Sequence, residues 1–334
     1  MKKVLLRDVA EKAGVSIAMV SYVLNGQKTD RINKDTAQRI RKVVEELNYR
    51  PNFLAQSLKL KKTFSLGFVA ADIANTFSSQ LARIISDEAD QAGYALIIGS
   101  SDESKPRFER LINQLLNRQV DGLILAAPEG SDELIKALQD RKTPLVLIDR
   151  YFPDLLVSSV SVNNYQASFD AMSEFITQGR KKIGILVYDT TLQHLKERML
   201  GAQDGITQSH SASYVTHVIH ENHIEQEVFA AITSMLQTGV DAIYFTSNKL
   251  GIAGMRYLMN HQIAVPTQVS TLFFDETEVF DFYPSPLPFI RQPLADMGKK
   301  AVELLFQQMN DSALPPESII LETSFVHSHS SFTQ

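Results

Sequence analysis

From Thr63 onward, the hydrophobic positions form short apolar runs that are separated by amphipathic stretches. The runs have the length of buried strands, and most intervening stretches carry apolar residues at helical spacing. The runs include SLGFVAA, YALIIGS, DGLILAA, PLVLID, SSVSVN, KIGILVY, DAIYFTS and VSTLFF. Strands that alternate with helices indicate parallel sheets with helices on both faces. Because there are too many runs for one sheet, the sequence predicts two doubly wound α/β lobes.

Residues 1–50 show a different pattern, in which the apolar spacing predicts three short helices. Gly14 ends the first helix, Ser16 is suited to cap the second, and the third begins near Asn33. The second helix is expected to stop at Asn25-Gly26. The predicted core positions are Leu6, Val9, Ala10, Ala13, Val20, Val23, Leu24, Ala37, Ile40, Val43, Val44 and Leu47. This order is the plan of an all-α helix-turn-helix domain.

The outward face of the second helix is small and partly apolar. At about 100° per residue, Ala18 and Tyr22 point away from the core and Ile17 lies at its edge. Such a face suits the floor of a DNA major groove, where thymine methyl groups offer apolar contacts and a tyrosine hydroxyl can hydrogen-bond. We therefore predict that Ile17, Ala18 and Tyr22 contact bases.

Charge separates the two parts of the chain. Residues 1–62 carry 14 lysines and arginines against 6 aspartates and glutamates, whereas the rest carries 19 against 32. A basic module on an acidic body is typical of nucleic-acid binding. The predicted phosphate contacts are Arg7, Lys12, Ser16, Ser21, Lys28, Arg31 and Asn52. The alternatives are a solvated charged head or a small bundle that binds protein.

A short helix is predicted over residues 51–62, in RPNFLAQSLKLKK. Pro51 suits its first turn, and Leu54 and Leu58 lie one turn apart with Ala55 beside them. The helix is too short to be stable alone, so we expect a hinge that becomes ordered when something packs on it. The alternative is that both leucines pack on the body.

Composition excludes several other classes of protein. The 334 residues contain no cysteine, so disulfides and thiolate metal sites are ruled out, and no apolar run has the length of a membrane helix. The charged start lacks a secretory leader pattern, which predicts a cytoplasmic protein. His217, His220 and His223 lie three apart across a strand end and a loop, which argues against a shared metal. Without GxGxxG, Walker A or GxSxG motifs, we expect neither an enzyme nor a cofactor.

Polar residues follow several of the predicted strands. Asp149 follows PLVLI, Asn248 follows DAIYFTS and Asp275 follows VSTLFF, while Arg198 lies in the helix after KIGILVY. Ligands of open parallel sheets bind beyond the carboxyl ends of the strands. Two carboxylates, an amide and a guanidinium at that edge can hold vicinal hydroxyls. The alternative for each residue alone is a helix cap or a surface charge.

Two segments resemble the lactose-repressor (LacI/GalR) family of bacterial transcription regulators: LRDVAEKAGVSIAMVSYVLNG and LNYRPNFLAQSLKLKKTFSLGFV. The similarity extends over essentially the whole chain. It implies that the second helix enters the major groove with Ile17, Ala18 and Tyr22 at its base-contacting positions. The family often has arginine where this chain has Tyr22, so a different operator sequence is expected.

The resemblance also implies a homodimer in which two hinge helices lie in the minor groove of a near-palindromic operator. Leu58, with Ala55 alongside, matches the position that pries open the central base step. The core would be a periplasmic-binding-protein-like pair of lobes joined by three crossovers. Asp149, Arg198 and Asn248 match effector-contacting positions of the family. Asp275 matches another, and Phe77, in the loop after the first strand, matches an aromatic wall.

The expected domains are a helix-turn-helix domain at 1–50, a hinge helix at 51–62 and an effector-binding and dimerisation core at 63–334. The N-lobe would comprise 63–162 and 291–322, and the C-lobe 163–290 and 323–334. We expect a repressor of carbohydrate-use genes that is controlled by a sugar, sugar phosphate or other sugar derivative bound between the lobes. The direction of control stays open. The alternative is a sugar-binding or carbohydrate-modifying protein of the same core fold that does not bind an operator.

Overall fold

The computed structural model describes residues 4–24, 32–49, 62–285 and 287–327. The chain divides into two compact units, Met1–Thr63 and Phe64–Gln334, each with its own hydrophobic core. Within the described ranges, no helix is both long and apolar enough to cross a bilayer.

The first unit contains three helices, α1 Leu6–Ala13, α2 Ile17–Leu24 and α3 Lys34–Glu46. Gly14 has a φ of +64° at the turn between α1 and α2, a left-handed conformation that favours glycine and permits so tight a turn. The buried core consists of Val9, Ala10, Ala13, Val20, Val23, Ile40 and Val43. The helix-turn-helix prediction is therefore confirmed. The predicted end of α2 at Asn25-Gly26 and the hinge residues 51–61 lie outside the described residues.

The second unit alternates strands and helices. In chain order its elements are β1 Ser65–Ala70, α4 Thr76–Gln91, β2 Ala95–Ser100, α5 Lys105–Asn117, β3 Gly122–Leu125, α6 Asp132–Asp140, β4 Leu145–Ile148, β5 Ser159–Val162, α7 Asn164–Thr177, β6 Lys182–Tyr188, α8 Gln193–Ser209, β7 Ser213–Ile219, α9 Ile224–Gln237, β8 Ala242–Phe245, α10 Asn248–Asn260, β9 Ser270–Phe274, β10 Phe289–Arg291, α11 Leu294–Asn310, β11 Ser318–Leu321 and β12 Ser324–Val326. Short 3₁₀ turns occur at Glu221–His223 and Glu278–Phe282.

These strands form two sheets, one in each lobe. The N-lobe sheet has the order β11-β5-β4-β3-β1-β2, and its strands pair in parallel. The C-lobe sheet has the order β12-β10-β9-β8-β6-β7, and β12 alone among its described strands is antiparallel to its neighbour. Strands such as β3, β4 and β8 are buried along their whole length, because helices cover both faces of the sheet. Two doubly wound lobes are confirmed.

Three connections in the described chain pass between the lobes: β5 to α7, β10 to α11, and β11 to β12. A single buried cluster extends through both lobes and includes Phe68 and Ile148 of the N-lobe with Ile185 and Phe274 of the C-lobe. Each lobe also has an outer cluster of its own. The carboxyl ends of the two sheets are thereby held on either side of a shared pocket.

Candidate functional site

The pocket between the lobes is lined by side chains that follow strands of both sheets. All five residues that the sequence predicts for an effector site lie on its wall: Phe77, Asp149, Arg198, Asn248 and Asp275. Asp149 follows β4 and Asp275 follows β9, while Asn248 begins α10 after β8. The strand-end rule therefore brings together residues that lie far apart in the sequence.

Phe77 was expected in the loop after the first strand, and this placement is wrong. Phe77 is in the first turn of α4, where its N–H donates to Asn75 Oδ1 at 3.1 Å. The side chain of Asn75 caps the helix and so starts it earlier than the apolar pattern indicates. The Phe77 ring still lines the pocket and packs, half-buried, against the shared core.

The two pocket aspartates share an unusual backbone conformation. Asp149 has a φ of +67° and Asp275 a φ of +80°, a region that costs about 1–3 kcal/mol for residues other than glycine. Each N–H is fixed on the neighbouring strand, since Asp149 donates to Val160 O at 2.8 Å and Asp275 donates to Ile290 O at 3.0 Å. The sheets thus hold both carboxylates, which are largely buried, at the pocket wall.

The Asp149 carboxylate is buried, and its contacts with basic side chains are long. Its Oδ2 lies 3.8 Å from Arg150 Nε and 4.0 Å from His194 Nε2. Burial raises the pKa of the Asp149 carboxyl to about 6, although the charges of Arg198 and Arg150 act in the opposite direction. Burial and the same two guanidinium groups hold the pKa of His194 well below its usual range, so this imidazole is neutral at physiological pH.

Arg198 is fixed from several directions. Its Nε donates to Asn164 Oδ1 at 2.8 Å, and its Nη1 donates to Thr246 O at 3.0 Å. The guanidinium carbon lies 3.5 Å from the centre of the Phe274 ring, and Nη1 is 3.8 Å from Asp275 Oδ2. This side chain is 3% exposed, so the pocket has a preorganised cation beside the second carboxylate.

Polar contacts join the lobes at the rim of the pocket. Asn75 of the N-lobe and Asn248 of the C-lobe exchange two amide hydrogen bonds, at 2.7 and 3.2 Å. Lys249 Nζ lies 2.6 Å from Asp72 Oδ2 in the N-lobe and 3.1 Å from Glu221 Oε1 in the C-lobe. Asn248 is therefore engaged across the cleft, in addition to lining the pocket.

Several pocket residues were not found from the sequence. Arg150 binds both carboxylate oxygens of Glu103, and Gln292 Nε2 donates to Asp275 Oδ1 at 2.6 Å. His194 lies at the start of α8 with its Nδ1 unpartnered among the described residues. Arg150 directly follows Asp149 at a strand end, so the same rule would have found it. Glu103, His194 and Gln292 follow loops and crossovers whose positions depend on the assembled fold.

The predicted DNA-contacting residues that the structure describes lie on the first unit. Ile17 is 48% exposed and Ala18 is exposed, opposite the buried Val20 and Val23, whereas Tyr22 is half-buried. Among the predicted phosphate contacts, Arg7, Lys12 and Ser16 are exposed and Ser21 is half-buried. Lys12 pairs with Glu46 at 2.8 Å, and Ser16 Oγ accepts a hydrogen bond from Met19 N–H at 3.2 Å. Lys28, Arg31, Asn52, Ala55 and Leu58 lie outside the described residues.

Both units match known families. Residues 5–52 match the profile described as bacterial regulatory proteins of the lacI family, and residues 66–311 match the periplasmic binding protein domain. The chain belongs to the LacI family of bacterial regulatory proteins. It is therefore a DNA-binding transcriptional regulator, in which a helix-turn-helix unit is joined to a periplasmic-binding-protein-like core.

Relatives of this LacI-family chain match it over nearly its full length. Catabolite control protein A of Priestia megaterium is 28% identical over 311 residues, which cover 92% of this chain and 93% of that protein. A Lac repressor bound to ONPG in the repressed state superposes with a TM-score of 0.85 at 24% identity, over 98% of this chain and 99% of that one. A Lac repressor dimer bound to operator and the anti-inducer ONPF gives 0.84 at 22% identity, over 99% and 100%.

Proposed function

We propose that this regulator represses carbohydrate-use genes and that a sugar or sugar derivative bound between the lobes controls its affinity for DNA. The observation that carries this proposal is the pocket where strand ends of both lobes present two buried aspartates beside a fixed arginine. Carboxylates and a guanidinium form charge-assisted hydrogen bonds with hydroxyl groups, and an aromatic ring such as Phe77 can stack on a sugar ring. Asp149, Arg198, Asn248 and Asp275 are the proposed polar contacts.

On the DNA side, the proposed base contacts are Ile17, Ala18 and Tyr22, with Arg7, Ser16 and Ser21 at phosphates. Lys28, Arg31 and Asn52 complete the proposed phosphate contacts, and Ala55 and Leu58 the proposed minor-groove wedge. The proposed operator is near-palindromic and is bound by a homodimer in the cytoplasm, as two equivalent helix-turn-helix units require two half-sites. A Lac repressor is a dimer on its operator, which supports this arrangement. The proposed domain division is 1–50, 51–62 and 63–334.

Control by a ligand follows from population shift. A ligand that binds one relative lobe orientation better than another shifts the protein toward that orientation and changes operator affinity by the same coupling free energy. No catalysis is proposed, since binding alone supplies this coupling. The pocket contains the neutral His194 and the Asp149 carboxyl of raised pKa, two kinds of group that acid–base catalysis also uses. The same two groups can bind a ligand hydroxyl by donating and accepting hydrogen bonds.

The test begins with selection of operator sequences from a randomised DNA library, followed by operator titrations with a panel of sugars and sugar derivatives. We expect a near-palindromic site whose affinity changes with at least one member of the panel. Tyr22→Arg should change the preferred base at one position in each half-site and keep the response to the ligand. Asp275→Asn should keep the operator sequence and lose the response. If both variants retained both properties, the proposed sites would be wrong.

A further inference from the structure

The pocket between the lobes contains more acidic than basic side chains. Among the described residues that line it, seven are aspartate or glutamate and three are arginine or lysine. The low pKa of His194 leaves that imidazole neutral, so it adds no positive charge. A partly buried anion needs a cationic or hydrogen-bonding partner to replace its lost hydration. Whether the three cations are free to pair with a ligand therefore decides whether the pocket can accept an anionic one.

Two of these cations are held by carboxylates of the protein. Arg150 makes a two-pronged pair with Glu103, in which Nη1 donates to Oε2 at 2.6 Å and Nη2 donates to Oε1. Lys249 lies between two carboxylates, at 2.6 Å from Asp72 and 3.1 Å from Glu221. An anionic ligand would have to compete with these pairs for either cation.

The third cation, Arg198, is also held by other groups of the protein. Two of its hydrogen bonds go to Asn164 and to the Thr246 carbonyl oxygen, and the face of its guanidinium lies on the Phe274 ring. Its nearest charge is the Asp275 carboxylate at 3.8 Å. A phosphate approaching Arg198 would therefore also approach a buried carboxylate.

Helix N-termini are the other common anion sites, and α4, α8 and α10 begin at the pocket. The side chain of Asn75 caps α4 by accepting from Phe77 N–H, and Ser247 caps α10 by accepting from Leu250 N–H. Asn75 and Asn248 also bond to each other across the cleft. The protein thus places its own acceptors at the starts of α4 and α10. The start of α8 has no side-chain cap, but the Glu129 carboxylate accepts from Thr191 N–H, just before this helix, at 3.2 Å.

The weakly paired group at the pocket wall is an acceptor. The Asp149 carboxylate lies 3.8 Å from Arg150 Nε and 4.0 Å from Nε2 of the neutral His194, and Arg150 Nε is without a hydrogen-bond partner among the described residues. A hydroxyl or ammonium group of a ligand can donate to this carboxylate, whereas a phosphate or carboxylate group would repel it.

Building on the proposed function, we propose that the pocket selects a sugar without an anionic group and excludes sugar phosphates and uronates. Carboxylates of the protein pair with Arg150 and Lys249, and the Asp275 carboxylate lies beside Arg198. Asp149 and Asp275 accept hydrogen bonds from ligand donors, and the pairs of Arg150 with Glu103 and of Lys249 with Asp72 keep competing anions out.

Inorganic phosphate tests the exclusion without knowledge of the natural ligand. The melting temperature of the full-length protein is measured with phosphate up to about 20 mM, at ionic strength held constant with chloride. We expect no rise for the wild type, and a rise for the double variant Glu103→Gln, Asp72→Asn, in which Arg150 loses its paired carboxylate and Lys249 keeps only Glu221. Glu225→Gln, which releases the exposed Arg256 on α10, is the matched control and should show no rise.

Either of two results would overturn the proposal. One is a rise in the wild type that disappears in Arg150→Gln or Lys249→Gln, since phosphate would then occupy the pocket. The other is a double variant that folds, as shown by a cooperative melting transition, but gains no response to phosphate. If the double variant does not fold, the single variants Glu103→Gln and Asp72→Asn are compared in the same way.

Matched sugar series then test the ligand class. Glucose and galactose are each compared with the 6-phosphate, the uronate and the 2-amino derivative, by melting temperature and by operator affinity. Any binding should favour the neutral or amino member over its anionic partner by at least about tenfold. Stronger binding of a phosphate or uronate would overturn the proposal. If no sugar changes the melting temperature or the operator affinity, and Asp275→Asn leaves operator control unchanged, the proposed function fails. The phosphate experiment still decides whether the pocket excludes anions.

Discussion

Asp149 combines a left-handed backbone with a carboxylate that burial leaves poorly compensated. Both features are unfavourable to the folded state, and the surrounding sheet maintains them through the bond from Asp149 N–H to Val160 O. Costs of this kind are found at binding and catalytic sites, where a bound ligand supplies the partners that a buried polar group lacks. We therefore expect the Asp149 side chain to lower the free energy of unfolding of the ligand-free protein.

We expect Asp149→Asn to stabilise the free protein at neutral pH and to have little effect in acid. The folded wild type keeps a proton on Asp149 up to a pKa of about 6, against an ordinary value of 3.8, so its stability falls as the pH rises between these values. The difference between these two pKa values corresponds to about 3 kcal/mol. In urea unfolding, the variant should gain up to about 3 kcal/mol over wild type at pH 7 and lose that gain near pH 4.

The exposed Asp154 provides the control for this measurement. Asp154→Asn should differ from wild type by no more than about 0.5 kcal/mol at either pH. An Asp149→Asn variant that is less stable than wild type at neutral pH would show that the carboxylate is better compensated than its long contacts indicate.

At the scale of elements, the site depends on close packing of α7 against α8. A Cβ atom added at Gly201 would lie 2.1 Å from the backbone oxygen of Tyr165, so the two helices approach as closely as a glycine allows. One turn earlier on α8, Arg198 reaches Asn164 at the start of α7. The separation of the helices therefore sets the position of the pocket arginine.

Gly201→Ala should push α8 away from α7. Because the obstacle is backbone rather than a flexible side chain, we expect a loss of about 1–3 kcal/mol in the free energy of unfolding and a weaker ligand response through Arg198. Thermal unfolding and operator titration measure the two effects. Leu200→Ala changes an exposed neighbour on the same helix and should leave both within error. Equal effects of the two substitutions would contradict the packing argument.

Elements differ in how well the sequence reveals them. Buried strands such as β3, β4 and β8 are continuous apolar runs, because helices cover both of their faces, and the sequence pattern predicts them directly. The strands β10, β11 and β12 do not appear among the predicted runs. Of these, β11 and β12 lie at sheet edges, where their side chains are exposed or only partly buried. Their pairing comes from chain crossings that no local periodicity encodes.

At the scale of the whole molecular core, the two lobes meet through polar pairs as well as through a continuous hydrophobic cluster. Strand ends are local features, which is why Asp149 and Asp275 could be predicted from the sequence. The partner of Lys249 could not, since Asp72 lies in the other lobe, far away in the sequence, and only the assembled fold brings the two side chains together. Burial raises the pKa of Asp72, but the hydrogen bonds from Lys249 and Ala74 N–H outweigh it and lower that pKa below its usual value.

Lys249→Ala should weaken the polar contacts between the lobes. We expect a loss of about 1 kcal/mol in the free energy of unfolding and faster hydrogen exchange in the loops after β1 and β7, because the substitution removes pairs to Asp72 and Glu221. Hydrogen exchange with mass spectrometry measures the second effect. Arg256→Ala removes a side chain of the same helix α10 and breaks its exposed pair with Glu225 on α9, and it should change neither loop. Unchanged exchange in the Lys249 variant would mean that the remaining cross-lobe contacts suffice.

The strand orders β11-β5-β4-β3-β1-β2 and β12-β10-β9-β8-β6-β7 follow the same chain sequence across each sheet, and they differ in that β12 is antiparallel to its neighbour whereas β11 is parallel. In both sheets the third strand, β4 or β9, leads into an aspartate with positive φ. The pocket is thus a pair of pseudo-symmetric halves, which differ in what surrounds each carboxylate: Arg150 and His194 on one side, Arg198 and Gln292 on the other. The two ends of a ligand without internal symmetry therefore meet different side chains, so its two orientations in the pocket are not equivalent.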